Sequence, residues 1–405
     1  MTTSSRVPVI SALGLMQILA WGSSYYLLTV IAAPIAADTG WPLSWIVGSL
    51  SVGLLVAGFV SPRVGRAIDR HGGRPVLAGS AVLLAVGLAA LALAQNFTMF
   101  VVAWVVLGVG MGAGLYDAAF ATLGRLYGST ARPAITLVTL WGGFASTVCW
   151  PLSAYLVEHL GWRGACLTYA GLHLAVSVPL ILFFIPTPPP RAQKAPGTEQ
   201  QARLSHRDRQ AFAVLAAILV LGGTTTTIIS IHLLTLLQSQ GLPLSTAVAL
   251  GALIGPSQVA ARILEAAGGG RHHPIWTLTA AMGLIALGVV LLWLGAFGAA
   301  VALILYGTGN GIYSIARGTL PLALFGPDRY APIMGRLAAP NLIAQALAPL
   351  AGAAVITSGG TSTMFVALTG IAAVNVILVG VLWFVVVDRH ADGQPSATNR
   401  GLERG

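Results

Sequence analysis

Between residues 9 and 387 the chain is a succession of apolar runs of roughly 20 to 27 residues, each closed by a short polar break. An α-helix rises 1.5 Å per residue, so ~20 such residues cross the ~30 Å hydrocarbon layer of a bilayer. Twelve runs meet that length, at residues 9–32, 42–62, 75–94, 98–123, 133–156, 164–185, 210–236, 245–264, 274–294, 299–324, 332–356 and 363–387. Only 8% of the 405 residues are charged, against roughly 25% in soluble domains, so a water-facing globule is excluded. The expectation is an all-α membrane protein of twelve transmembrane helices. The first run is too long for a signal-peptide core and lacks a convincing small-residue cleavage site, so it is read as retained. Cys149 and Cys166 fall singly in apolar runs, which argues against a disulfide framework and a cysteine metal site.

Lys and Arg resist translocation, and this sets the orientation. With a cytoplasmic N-terminus, inner segments hold eighteen of the 21 basic residues, among them Arg6, Arg63, Arg66, Arg70, Arg74, Arg125, Arg132, Arg262 and Arg329. Outer loops hold only Arg163, and Arg317 and Arg336 lie within helices. Both termini are therefore expected in the cytoplasm, with the protein in the cytoplasmic (inner) membrane of a bacterium. The net charge of +10 then reflects topology rather than nucleic-acid binding. Residues 187–209, with their TPPP cluster and mixed charge, are read as a cytoplasmic linker. They divide an N-terminal six-helix bundle, residues 1–186, from a C-terminal one, residues 210–387, and a cytoplasmic tail covers 388–405.

The two halves repeat. GMGAGLYDAAFATL from Gly110 aligns with GTGNGIYSIARGTL from Gly307, GWPLS from Gly40 with GLPLS from Gly241, RAID from Arg66 with RILE from Arg262, and Pro151 with Pro349. Six spans per repeat restore the same orientation, so the halves are parallel repeats about an axis normal to the membrane. Such pairs place a site at the midplane and open it to either side by rocking.

The segment GRAIDRHGGR, read as the loop after the second helix, resembles the G-x-L-A-D-R-x-G-R-R signature of the major facilitator superfamily (MFS). Gly65, Asp69, Arg70, Gly72 and Arg74 match. The GWR of Gly161 to Arg163 is also frequent there, and the likeness extends over the whole chain. The G-W-P-L-S-W from Gly40 resembles the monocarboxylate and oxalate porter branch. The resemblance implies alternating access, with the first, fourth, seventh and tenth helices lining a central cavity. Two departures matter. Trp104 stands where proton-driven members carry an Arg before the fourth-helix glycines, and Ser257 and Gln258 occupy the eighth-helix region where the anion-exchange branch often places a basic residue, while Arg262 lies nearer the inner end.

A charge within hydrocarbon costs at least ~2.5 to 3.5 kcal/mol on insertion scales, so its presence calls for a partner or a wet cavity. Asp117 and Arg317 are the deepest, each about 12 to 13 Å above the inner end of its helix, and they are expected to face each other across the pseudo-twofold axis. Arg317 is read as attracting an anionic substrate or pairing with Asp117 when the inner side closes; a permanent structural pair or an Arg snorkelling to the interface is the bland alternative. Asp117 is the candidate proton carrier. Arg336 is read with Asp69 as a cytoplasmic gate, and Glu265 as a partner of Arg262 one turn away. Trp21, Tyr25, Asn310, Tyr116 and Tyr313 are weaker substrate-site candidates. Gln17, Ser24, Thr224 to Thr227, His232, Asn341 and Gln345 are read foremost as interhelical glue. The glycines at 108 to 114 and 307 to 311 are read as close-packing positions.

Other classes fit poorly. The only lysine, Lys194, lies in the linker, so no G-x-x-x-x-G-K-[ST] phosphate cradle exists and ATP is not the energy source. An intramembrane hydrolase needs a Ser or Cys with a His, a zinc motif or two apposed carboxylates, and Asp117 is alone. The expectation is a monomeric secondary transporter, not an enzyme, without cofactor or metal. It moves a small solute, foremost an organic anion such as a monocarboxylate, with a proton as the candidate coupling ion. A drug or toxic-compound efflux carrier is the alternative.

Overall fold

The computed structural model describes residues 6–187, 205–269, 272–295 and 298–392, with side chains described up to residue 386. Most of the linker and the end of the tail lie outside the described residues. Fifteen α-helices follow one another: α1 Val7–Ser23, α2 Leu27–Thr39, α3 Leu43–His71, α4 Gly73–Ala92, α5 Phe97–Gly114, α6 Tyr116–Tyr127, α7 Arg132–Gly143, α8 Ala145–Leu172, α9 Val178–Phe184, α10 His206–Ser239, α11 Leu244–Gly251, α12 Ile254–Ala267, α13 Pro274–Leu294, α14 Ala299–Phe325 and α15 Pro327–Asp392. Among the described residues there is no strand.

These helices form ten stretches long and apolar enough to cross a membrane. Two of the ten, of 53 and 60 residues, are too long for one crossing, since 1.5 Å per residue makes each roughly 80 to 90 Å. Each is interrupted by a glycine in left-handed backbone: Gly161 (φ 69°, ψ 173°) in α8 and Gly360 (φ 76°, ψ 177°) in α15. A residue with a Cβ is strained there, so glycine permits the chain to reverse without a loop. The remaining boundaries follow the apolar runs closely. One segment differs: GRAIDRH belongs to the last turns of α3, which continues to His71 and leaves only Gly72 outside helical geometry before α4.

Left-handed glycines recur in step. Gly40 and Gly241, Gly72 and Gly269, Gly128 and Gly326, and Gly161 and Gly360 all have positive φ, in pairs 197 to 201 residues apart. The helix seams repeat as well. A Cβ at Gly112 would stand 2.9 Å from the Ala57 carbonyl of α3, and one at Gly307 would stand 2.9 Å from the Ile254 carbonyl of α12. Gly108 also abuts α3, whereas Gly110 faces Leu84 on α4 and Gly309 faces Ala281 on α13. By seam, Gly108 and Gly112 face α3 as Gly307 and Gly311 face α12, and Gly110 faces α4 as Gly309 faces α13.

Two regions of the fourth and first spans are not continuous helix. At Leu115 (φ −75°, ψ −172°) the chain is extended between α5 and α6, and Ser24–Tyr26 separates α1 from α2. Freed carbonyls in hydrocarbon must find donors. Gln17 Nε2 donates to the Gly114 carbonyl at 2.7 Å, and Ser80 Oγ donates to that of Gly110 at 2.8 Å. Near the other break Ser23 Oγ and His173 Nε2 share a hydrogen bond of 2.7 Å, His173 opening a π-helical turn.

One hydrophobic core lies within the second half, and two others join the first half to α15. The first joins α10, α13, α14 and much of α15; the others join α1 to α9 and take in the stretch of α15 around Tyr330, Met334 and Leu342. The halves meet along α3 and α15, α6 and α15, α7 and α12, and α7 and α14.

Candidate functional site

The break at Leu115 decides where Asp117 stands. It starts α6 afresh, so Asp117 lies in the first turn of that helix, where unpaired N–H groups and the positive dipole end favour a carboxylate. From the opposite half, α14 runs unbroken and projects Arg317 toward it. Arg317 Nη2 donates to Asp117 Oδ2 in an ion pair whose side chains are each 13% exposed. The two deepest charges of the chain thus meet between the halves. In hydrocarbon each offsets the desolvation of the other, and removing either leaves a partly buried charge uncompensated.

Above the pair lies a small cavity of about 20 Å³, bounded by Trp21 and Tyr25 of the first span, Leu54 and Ala57 of α3, Met111, Gly112 and Leu115 of the fourth span, Leu342 and Gln345 of α15, and the pair itself. Its wall is mostly apolar and aromatic, with few polar groups, as in small-molecule sites generally. A second void, of about 10 Å³, lies among Ser61, Gly65, Ile68, Ala121 and Gly335. Gly112 and Asp117 border both spaces, so Asp117 stands in the partition between them.

The aromatic candidates divide. Trp21 and Tyr25 line the cavity, their rings 5.6 Å apart and edge to face. Tyr116 packs behind Trp21, with ring centroids at 5.2 Å, and its hydroxyl donates to the Thr139 carbonyl at 3.3 Å. Tyr313 turns to α10 and donates to the Leu219 carbonyl at 3.1 Å. Neither Tyr116, Tyr313 nor Asn310 is among the residues bounding the cavity. Both tyrosine hydroxyls rest against glycines, Gly142 and Gly222.

Toward the arginine-rich ends the halves are pressed together. A Cβ at Gly65 would lie 3.1 Å from Gly335 Cα, and one at Gly58 would lie 3.1 Å from the Ala339 carbonyl. Asp69 is half-buried in the last turn of α3, Arg70 is exposed and Arg74 reaches Thr187, while Gly72 supplies the turn into α4. Arg336 is exposed on α15, beside Gly335, and it is this glycine that touches α3. The expected pairing of Glu265 with Arg262 is not found. Glu265 instead pairs with Arg132 of α7 at 3.5 Å and accepts from Thr277 at 2.9 Å. Arg262, 5% exposed, donates to the Thr139 carbonyl of α7 at 3.1 Å, the Gly311 carbonyl of α14 at 3.3 Å and Gln258 at 3.4 Å. One turn of α12 puts the two side chains on different neighbours, because Arg132 reaches Glu265 from the other half.

Sequence reasoning named these groups without their partners. Gln17 holds the carbonyl at the α5–α6 break, and Arg262 is a buried cation bridging the halves rather than an interfacial one. Nothing in a single apolar run marks either role; a tilt of one helix against another does.

This chain matches the Major Facilitator Superfamily over residues 13–331 and belongs to that family. It is a multi-pass membrane protein built as a transporter of that class. Mouse monocarboxylate transporter 11 is 32% identical over 193 residues, 45% of this chain and 39% of that protein, and the human protein of the same name is 31% identical over 193 residues, 45% and 37%. The chain thus spans well under half the length of these relatives. Among solved structures, the human organic anion transporter MFSD10 (TETRAN) aligns with a TM-score of 0.69 at 18% identity, covering 94% of this chain and 100% of that one. FucP in the outward conformation aligns with a TM-score of 0.73 at 15% identity, covering 93% and 99%. The proton:xylose symporter XylE aligns with a TM-score of 0.69 at 11% identity, covering 93% and 94%. These likenesses establish the fold alone.

Proposed function

We propose that the protein moves a small organic anion, foremost a monocarboxylate, across the cytoplasmic membrane by alternating access between two six-helix bundles, residues 1–186 and 210–387, with twelve crossings and both termini cytoplasmic. The observation that carries this reading is Arg317 at the floor of the cavity, a cation inside the membrane within reach of a solute and masked by one carboxylate. An arriving carboxylate competes with Asp117 for the guanidinium, and protonation of Asp117 removes the competitor. One group then couples a proton to anion binding, in keeping with the partition position of Asp117. The local likeness to monocarboxylate transporters supports the substrate class. The arginine-rich ends are the cytoplasmic side, and the Gly58, Gly65, Gly335 and Tyr330 contacts, with Asp69, Arg70, Gly72, Arg74 and Arg336 around them, form the gate there.

The test is a thermal-shift screen of the purified protein against carboxylates and cationic drugs, followed by uptake into proteoliposomes, since a binder stabilises in proportion to its affinity. A carboxylate is expected to stabilise wild type, and Arg317→Ala to abolish both the shift and uptake. Stabilisation by cationic compounds alone would point instead to an efflux carrier in which Asp117 holds the cation.

A further inference from the structure

The cavity wall carries one polar group that the charged pair does not explain. Gln345 lies on α15 facing the cavity, and among the described residues its amide makes no hydrogen bond. One turn earlier on the same helix, Asn341 is 1% exposed, and both its Nδ2 and Oδ1 lack a partner. The two amides converge on one notch. A Cβ at Gly223 of α10 would collide with Asn341 Oδ1 and stand 3.2 Å from Gln345 Nε2, so Asn341 fills the space that a side chain there would take and Gln345 sits beside it. Interhelical glue is the ordinary role of such residues in membranes, yet neither amide bonds to α10 here. Leaving a buried amide without a partner is unfavourable, and a ligand group that satisfies it removes that penalty.

We propose that Gln345, positioned by Asn341 and the Gly223 notch, is a neutral hydrogen-bonding subsite that receives a hydroxyl, carbonyl or amide function of the transported solute. This rests on the anion reading above and narrows it: the solute bears a polar uncharged group besides the carboxylate held by Arg317. An unsubstituted aliphatic acid leaves the amide unsatisfied and binds less well.

Binding to the purified full-length protein, measured by calorimetry with matched pairs, tests this. Propanoate is compared with 2-hydroxypropanoate, and butanoate with 3-hydroxybutanoate. In at least one pair the hydroxylated member is expected to bind roughly three- to tenfold more tightly, the value of one net hydrogen bond. The ratio should fall to about one in Gln345→Leu and in Gln345→Met, which keeps the chain length. Asn341→Leu separates positioning from glue: loss of an unbonded amide should leave or raise Tm while lowering the ratio, whereas glue predicts a lower Tm with the ratio intact. Equal affinities within every pair, or a ratio unchanged by both Gln345 variants, overturn the subsite. If acids bind and Arg317→Ala abolishes their binding, that failure is confined to the subsite. If no acid binds wild type, or Arg317→Ala binds as well as wild type, the anion reading falls with it.

Discussion

An isolated carboxyl in a bilayer can take up a proton and become neutral, whereas a guanidinium cannot shed its charge. The Asp117–Arg317 pair is therefore unequal in what each loss leaves behind. Asp117→Asn strands a buried cation and is expected to lower stability by about 3 to 5 kcal/mol. Arg317→Ala leaves a group that can neutralise itself and is expected to cost less, with the protein still folded. Thermal unfolding in detergent ranks the two, and Asp117→Asn/Arg317→Ala should lose less than the sum because the sites are coupled. In liposomes Asp117→Asn is further expected to lose dependence on a pH gradient; unchanged dependence removes Asp117 as the proton carrier. These two residues were legible in the sequence because charge is rare in apolar runs. For Gln17 the reading as interhelical glue named the role and not the partner, and for Gln345 it named neither, because only packing reveals which carbonyl or cavity a neutral amide faces.

The elements repeat one device, a glycine that admits another backbone. At the α3–α15 seam Gly65 meets Ala331 and Gly335 of the opposite half, so a branched side chain must wedge the arginine-rich face open. Gly65→Val is expected to keep the fold but reduce transport by more than tenfold, with cytoplasmic-side accessibility of the α3–α15 seam increased; normal transport would show that this contact is no gate. The apolar runs marked the helices, but closed the first span at 32 and the second at 62 where helix continues to Thr39 and His71, and read the fourth span as continuous. Its interruption at Leu115 depends on a donor from another helix, Gln17, for the carbonyl of Gly114. A break in hydrocarbon is permitted only where neighbours satisfy it, and neighbours are not local in sequence.

The whole molecule is two halves whose cores share residues along the seam. Since the apolar clusters of the first half take in Tyr330, Met334 and Leu342 of α15, residues 1–187 and 205–405 expressed as separate chains are expected to assemble into a transporting complex, assayed by co-purification and uptake. Failure to co-purify would mean that the linker is needed for docking. Closure at the arginine-rich face also predicts sidedness. In Tyr25→Cys a membrane-impermeant thiol reagent should label from the face opposite the arginines and not from their own, over a quiet background because Cys149 and Cys166 are buried. The sequence alone determined that this chain is an all-helical membrane protein, and it singled out two charges in apolar runs that the structure brings together. Those follow from hydrophobic length and from the cost of charge in hydrocarbon, both properties of a single strand of residues. Tertiary structure decided that Asp117 opens a new helix, that Arg262 spans the halves while Glu265 turns to Arg132, and that Gln345 looks into the cavity. Those depend on the rotation and tilt of one helix against another, which interactions between distant residues set.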